Sequence, residues 1–263
     1  MLKDITIGQY IARESIIHSL DARMKIILTT ILIIALFTIN TFNGFGIFSI
    51  FILIVILLSK IPFLKVLKGL KPILFLILLT LFIHVFLTKG GNVLWSWRFL
   101  SIESEGVYTG FFMVSRIFIL ILFTSLLTLT TSPLQLTDGI EYVLSPLKRF
   151  GVPAAELSMM MTIALRFIPT LLEEAEKIMK AQQARGADFE SGNIINRAKS
   201  LIPLLVPLFI SAFRRADDLA LAMESRCYRG GEGRTRLHEL EYSYYDFIAL
   251  SIVLILAVTV SFF

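Results

Sequence analysis

Apolar residues run nearly unbroken over five stretches of the chain, at 24–41, 45–59, 72–88, 107–131 and 244–263. A helix needs roughly 20 such residues to cross about 30 Å of hydrocarbon. The pattern therefore predicts an all-α, polytopic membrane protein with about five transmembrane helices. The second stretch is short, and Lys60 beside it supplies a snorkelling flank. Between 132 and 243 the pattern changes to helical spacing. Leu157, Met160, Met161, Ala164, Leu165, Ile168, Leu171, Leu172, Ala175, Ile178 and Met179 form one face of a helix. Glu173, Glu174, Lys177 and Lys180 occupy the other side, and Pro169 is expected to kink the helix. A second such face runs from Leu201 through Leu205, Phe209, Ala212 and Ala216 to Met223, with Arg214 placed to pair with Asp218 four residues on. A shorter helix is predicted at 133–149, with Pro133 in its first turn and Gly151 and Pro153 beyond its end. Three regions follow: 1–131 with four transmembrane helices, 132–243 with long amphipathic helices at the cytoplasmic or interfacial side, and a C-terminal transmembrane helix at 244–263.

Charge orients these elements. Lys3, Arg13, Arg23 and Lys25 precede or edge the first span, no basic residue separates the first from the second, and Lys60, Lys65, Lys68 and Lys71 separate the second from the third. By the positive-inside rule the N-terminus and the 60–71 loop face the cytoplasm. The chain then returns to the cytoplasm near Ser132, and the last span carries the C-terminus outside. The expected location is the cell (plasma) membrane, multi-pass, with Trp95 and Trp97 in the external 89–105 loop as interfacial anchors. No compact apolar core with a small-residue cleavage site opens the chain, so the N-terminus is expected to be retained. The 132–243 region holds 14 of the 25 basic and 14 of the 20 acidic residues, so the net charge of +5 arises elsewhere. A locally neutral region excludes a basic arm for nucleic acid, and the lipid bilayer is the expected surrounding.

Catalytic chemistry finds no foothold. There is no phosphate loop, no G-x-S-x-G turn and no H-E-x-x-H helix, so an enzyme role and ATP hydrolysis by this chain are not expected. Cys227 is the single cysteine, and His18, His84 and His238 sit in no ligand spacing, so neither an intrachain disulfide nor a bound metal is expected. Arg116, mid-way along the fourth span, is costly unless it faces protein or water, and packing against a carbonyl or acid is preferred over an ion pathway. Gly106 and Gly110 just before it suit close helix contact, and His84 is expected near the outer interface.

The candidate site is a pair of helix ends. AQQARGADFE, 181–190, and AMESRCYRGG, 222–231, each set an arginine between small or compact residues at the end of a long amphipathic helix. Gly186 stands where a left-handed cap is commonly glycine, which leaves Arg185 in the last turn. Capping explains one such tip. Two on successive helices, each with a small shoulder (Ala184, Ser225) beside a rigid guanidinium fork, suggest two equivalent receptors.

With SIIHSLDARMKII (15–27), TLTTSPLQL, ALRFIPTLLEEAEKIMKAQQARGAD (164–188) and RADDLALAMESRCYRGG, nearly the whole chain resembles the T component of energy-coupling factor (ECF) transporters, the transmembrane coupling subunit of a vitamin and metal-ion uptake branch of the ABC transporters. The resemblance implies two ATPase subunits, as a homo- or heterodimer, which use ATP and Mg, and a separate substrate-binding membrane subunit, the S component. It implies docking of those ATPases at Ala184, Arg185 and Gly186 and at Ser225, Arg226 and Cys227. The second tip departs from the family's A-R-G pattern, and cysteine at 227 points to Gly230 and Gly231 as the alternative helix end. The competing readings are a self-contained secondary transporter or channel, expected to show broken helices and internal repeats, and a membrane scaffold for a partner that is not an ATPase.

Overall fold

A computed structural model describes residues 10–39, 41–97, 100–187, 189, 193, 195, 199–230 and 241–262, with the backbone alone at 95–97, 100 and 101. The Trp95 and Trp97 side chains, Gly231 and His238 lie outside the described residues. The chain divides into two compact units, one of Gly8–Val143 with Glu239–Phe263 and one containing Leu144–His238.

In the first unit, polar caps set the helix starts. Ser15 accepts from the His18 amide at the start of α1 (Ile16–Ser19), and Asp21 accepts from the Arg23 amide at the start of α2 (Ala22–Thr38). Thr41 caps α3 (Phe42–Ser59), which ends on Lys60 in the left-handed conformation. A short α4 (Phe63–Lys68) and a 3-10 turn at Lys71–Ile73 lead into α5 (Leu74–Leu87). The 89–105 loop folds into an antiparallel hairpin of β1 (Val93–Trp97) and β2 (Leu100–Glu103). Then comes α6 (Ser104–Thr130), the longest element of this unit. Ser132 and Gln135 exchange side-chain bonds to each other's amides, a reciprocal cap with Pro133 in the first turn of α7 (Pro133–Leu144). The α-helix expected to 149 stops at Leu144 and continues as a 3-10 turn over Ser145–Phe150. Pro146 has no amide to donate to Tyr142, so the α-ladder breaks there. The C-terminal α10 (Tyr244–Ser261) opens with a full capping box between Ser243 and Asp246.

The core of this unit joins α2, α3, α6 and α10 around Leu36, Phe48, Ile52, Ile119, Leu122, Phe123 and Val260. Edge-to-face rings tie α3 to α6, with Phe45 and Phe112 centred 4.6 Å apart and Phe48 and Phe123 5.9 Å apart. The Gly106-x-x-x-Gly110 pair brings α6 against α5: a Cβ on Gly106 would stand 2.7 Å from the His84 carbonyl oxygen and 2.8 Å from that of Thr88. His84 turns back on its own helix, its Nδ1 2.9 Å from the Thr80 carbonyl oxygen. The outer surface of α5 is apolar, with Phe75, Leu78 and Phe82 exposed, as a membrane-facing helix requires.

The second unit pairs α8 (Ala154–Ala184) with α9 (Ile202–Ser225). α8 runs through Pro169, and α9 contains Pro203 in its first turn and Pro207 inside it. Among the described residues, five helical segments are long and apolar enough to cross a membrane: 42–59, 63–87, 104–130, 154–184 and 244–261. Two differ from the sequence pattern. α2 has 17 residues, just short of such a span, and α8 qualifies although its last half carries charge.

Candidate functional site

Both tips adopt the same backbone geometry. At the end of α8, Arg185 has φ −88° and ψ 9°, and Gly186 takes the left-handed conformation at φ +87°. The Gly186 amide donates to Gln183 at 2.9 Å and the Ala187 amide to Gln182 at 2.9 Å. That crossed pair of bonds is a Schellman cap. At the end of α9, Arg226 has φ −92° and ψ 11°, the Cys227 amide donates to Glu224 at 2.9 Å, and the Tyr228 amide donates to Met223 at 3.1 Å. Cys227 itself is left-handed, at φ +56°. The expectation that Gly230 and Gly231 end this helix is thus corrected. α9 stops at Ser225 and Cys227 fills the position that Gly186 fills in α8, while Gly230, also at positive φ, lies three residues beyond. Cysteine, an L-residue, carries strain at this φ, and its side chain is exposed here.

All six tip residues are exposed. The Ser225 hydroxyl donates back to the Ala222 carbonyl at 2.9 Å, which folds it against its own helix and keeps the shoulder small. Each guanidinium sits at the carbonyl end of a long helix, where a cation is favoured by the dipole.

The two tips are also placed symmetrically. Arg215 Nη2 meets Glu174 Oε2 at 2.8 Å, and Gln182 Nε2 lies 3.5 Å from the Pro203 carbonyl oxygen, so α8 and α9 run antiparallel. Arg185 is eleven residues beyond Glu174 and Arg226 eleven beyond Arg215. At 1.5 Å per residue each tip stands about 16 Å from the ion pair along its helix, in opposite senses, and the two are at most about 33 Å apart along that line. Among the described residues the pair expected on α9 itself, Arg214 with Asp218, is not formed; the ion pair of this stretch joins Arg215 to Glu174 on α8 instead.

Sequence reasoning missed a buried polar junction in the first unit. Asp21, Arg23, Lys25 and Asp246 are all buried. The Asp21 amide donates to Asp246 Oδ1 at 3.0 Å, and the Ser243 amide donates to Asp246 Oδ2 at 2.8 Å. Arg23 grips the Asp21 carboxylate, with Nη2 to Oδ2 at 2.7 Å and Nε to both oxygens at 3.1 Å. Its guanidinium lies 4.1 Å from the ring centre of Tyr242 and 4.8 Å from that of Tyr142. The Tyr142 hydroxyl bonded to Tyr242 pushes the Tyr242 phenol above its usual range. Lys25 Nζ donates to the His18 and Thr130 carbonyls at 3.0 and 3.1 Å. The only available signal was the density of ionisable residues in SLDARMK beside an apolar run.

Arg116 behaves as a packing residue. Its Nη2 donates at 2.8 Å to the carbonyl of Ile39, the fully buried residue that ends α2, and its guanidinium carbon lies 5.5 and 5.6 Å from the Phe112 and Phe37 ring centres. Among the described residues, no group of three or more His, Cys, Asp or Glu side chains is placed to hold a metal ion.

Comparison with known proteins bears on this arrangement. A sequence model of the CbiQ family, described as a cobalt transport protein, matches residues 13–237. The chain is 58% identical over 257 residues to a protein of Clostridium kluyveri named energy-coupling factor transporter transmembrane protein EcfT, covering 97% of this chain and 95% of that one. A protein of the same name from Acidaminococcus fermentans is 54% identical over 262 residues, covering 100% and 97%. One from Brevibacillus brevis is 47% identical over 260 residues, covering 99% and 98%.

Proposed function

Because the chain belongs to the family of energy-coupling factor transporter transmembrane proteins, we propose that it is the coupling subunit of an importer, carrying ATP-driven motion from two ATPase subunits to a separate substrate-binding membrane subunit. The observation that carries the reading is the pair of matched tips. Arg185 and Arg226 share backbone angles, cap pattern and exposure, and stand equally far from the Glu174–Arg215 ion pair. Two equivalent plugs at opposite ends of an antiparallel helix pair suit two equivalent grooves on a pair of subunits. Ala184, Arg185 and Gly186 enter one groove and Ser225, Arg226 and Cys227 the other. The guanidinium forks take carboxylates or backbone carbonyls there. ATP and Mg belong to the ATPases. The transported compound, a vitamin or metal ion, is selected by the substrate-binding subunit.

The proposed orientation places the N-terminus inside and the C-terminus outside. Arg13 Nη1 donates to the Lys60 carbonyl, the Ile11 amide to Leu129, Lys25 to Thr130 and Asp21 to Asp246. These bonds put the starts of α2 and α10 level with the ends of α3 and α6, beside the basic residues that mark the cytoplasmic face. Domain closure in the ATPases would then reach the membrane helices as a hinge or shear movement. Arg116 already bonds the end of α2, which weighs against a self-contained ion pathway. An affinity-tagged chain, solubilised in mild detergent, is expected to bring down two ATPase subunits identifiable by mass spectrometry. A chain that is recovered folded and without any ATPase would refute the reading.

A further inference from the structure

The helix pair that carries the tips is joined to the membrane unit by two passages of chain, one leaving after Val143 and one returning at Glu239. Tyr142 lies one residue before the first passage and Tyr242 three residues after the second. The two rings stand 6.5 Å apart, centre to centre, at 78°, and the Arg23 guanidinium carbon lies over both, 4.8 Å from the centre of Tyr142 and 4.1 Å from that of Tyr242. A residue from the start of α2 therefore holds both ends of the chain segment that contains the tips.

The grip is built in successive bonds. Asp246, fully buried in the first turn of α10, accepts from the Asp21 amide, and the Asp21 carboxylate fixes the Arg23 fork through three bonds. A guanidinium held flat in this way can face two rings at once, which an ammonium on a flexible stem cannot. Arg23 itself is buried, and a cation taken out of water is held more strongly over a ring than an exposed one. Arg23 adds an anchor shared by both ends to the direct bond between Tyr142 and Tyr242 and to the Asp21–Asp246 bond. Without that anchor, a force arriving at the tips would be taken up by movement of Tyr142 and Tyr242 against the start of α2, and less of it would reach the membrane helices.

We propose that Arg23, held by Asp21 and Asp246 between Tyr142 and Tyr242, is a positioning residue for coupling: it joins the entry and exit of the tip-bearing segment into one pivot, so that the membrane helices load the ATPases. This rests on the coupling role proposed above. Releasing the pivot unloads the ATPases without removing them.

The test is ATP hydrolysis by the complete complex, purified through this chain and placed in lipid vesicles. Arg23→Ala, and separately the double variant Tyr142→Cys with Tyr242→Cys, are expected to keep both ATPases bound. Their ATP hydrolysis should rise by about fivefold, the lower end of ordinary coupling between sites. Tyr142→Phe and Tyr242→Phe keep the stacked rings and should hydrolyse at the unsubstituted rate. A short thiol-reactive crosslinker applied to the double cysteine variant should bring the rate back down. The same reagent on the unsubstituted chain, which has Cys227 alone, is the control. Hydrolysis that stays unchanged or falls in the clamp variants overturns the proposal, and so does a crosslink that fails to restore the rate. Loss of the ATPases together with activity would mean a merely structural role and also overturns it. An unsubstituted chain that brings down no ATPase would instead sink the underlying coupling role.

Discussion

Exchanging the residues at the two left-handed caps tests whether the tips share one local design. Cys227 holds φ +56° and Gly186 φ +87° in the same cap position. An L-residue in this region costs about 1–2 kcal/mol that glycine avoids. Glycine returns roughly 0.4–1 kcal/mol of that by its greater freedom in the unfolded chain. Cys227→Gly should therefore tighten the end of α9 by about 0.8 kcal/mol, and Gly186→Cys should loosen the end of α8 by a similar amount, a factor of about four in each opening equilibrium. Nothing within 4 Å obstructs a Cβ at Gly186, so the effect there is conformational alone. Amide hydrogen exchange reads it directly, because the amides of Cys227 and Tyr228 and those of Gly186 and Ala187 close the two caps. Exchange at Tyr228 should slow about fourfold in Cys227→Gly and at Ala187 quicken about fourfold in Gly186→Cys. Opposite signs, or no change at either site, would refute the claim that residue 227 does in α9 what residue 186 does in α8.

Three further outcomes are expected. Gly106→Ala would drive a methyl to within 2.8 Å of two backbone carbonyl oxygens of α5, so its thermal stability in detergent should fall by about 1–3 kcal/mol, whereas Gly46→Ala, in open space, should not be destabilised. A Gly106→Ala chain as stable as the unsubstituted one contradicts the close α5–α6 packing. Asp246→Ala leaves the buried amide of Asp21 and the part-buried amide of Ser243 without their acceptor, a loss of roughly 3 kcal/mol, and limited proteolysis near residue 242 should quicken. His18 is held below its ordinary pKa of 6.5, chiefly by burial and then by Lys25 and Arg13, against the Ile11 carbonyl. The unfolded chain thus takes up this proton first, so stability is intact above pH 6.5 and falls as the pH drops from there to the lower folded value. His18→Gln should remove that component of the acid sensitivity, measured as the midpoint of thermal unfolding against pH.

What was legible in the sequence was what depends on near neighbours. Long apolar runs have few alternatives to a membrane helix, so α3, α5, α6 and α10 lie where the pattern puts them, with starts shifted by three residues where Thr41 and Glu103 precede the helix and the other ends by two at most. The helical faces of α8 and α9 were equally plain, since a period of 3.6 is a local signal. Features that need a third dimension were not legible. Tyr142 and Tyr242 are a hundred residues apart in the sequence and meet each other and Arg23 only in the folded chain. Arg215 looks no different from Arg214 in the sequence, yet it is the one that reaches Glu174. Cys227 departs from glycine's preference for positive φ, and the cap bonds from its own amide and that of Tyr228 hold it there in spite of the strain. The hairpin of β1 and β2 is too short to leave a readable alternation between two apolar spans.

The most direct test of the central claim reverses both tip charges at once. In an affinity-tagged Arg185→Glu, Arg226→Glu chain recovered from the membrane fraction, the measurement is the number of ATPase subunits that co-purify per chain. The account predicts two with the unsubstituted chain and essentially none with the reversed one, because each groove would then meet a carboxylate where it accepts a guanidinium. Recovery of ATPases with the reversed chain at the unsubstituted ratio would contradict it.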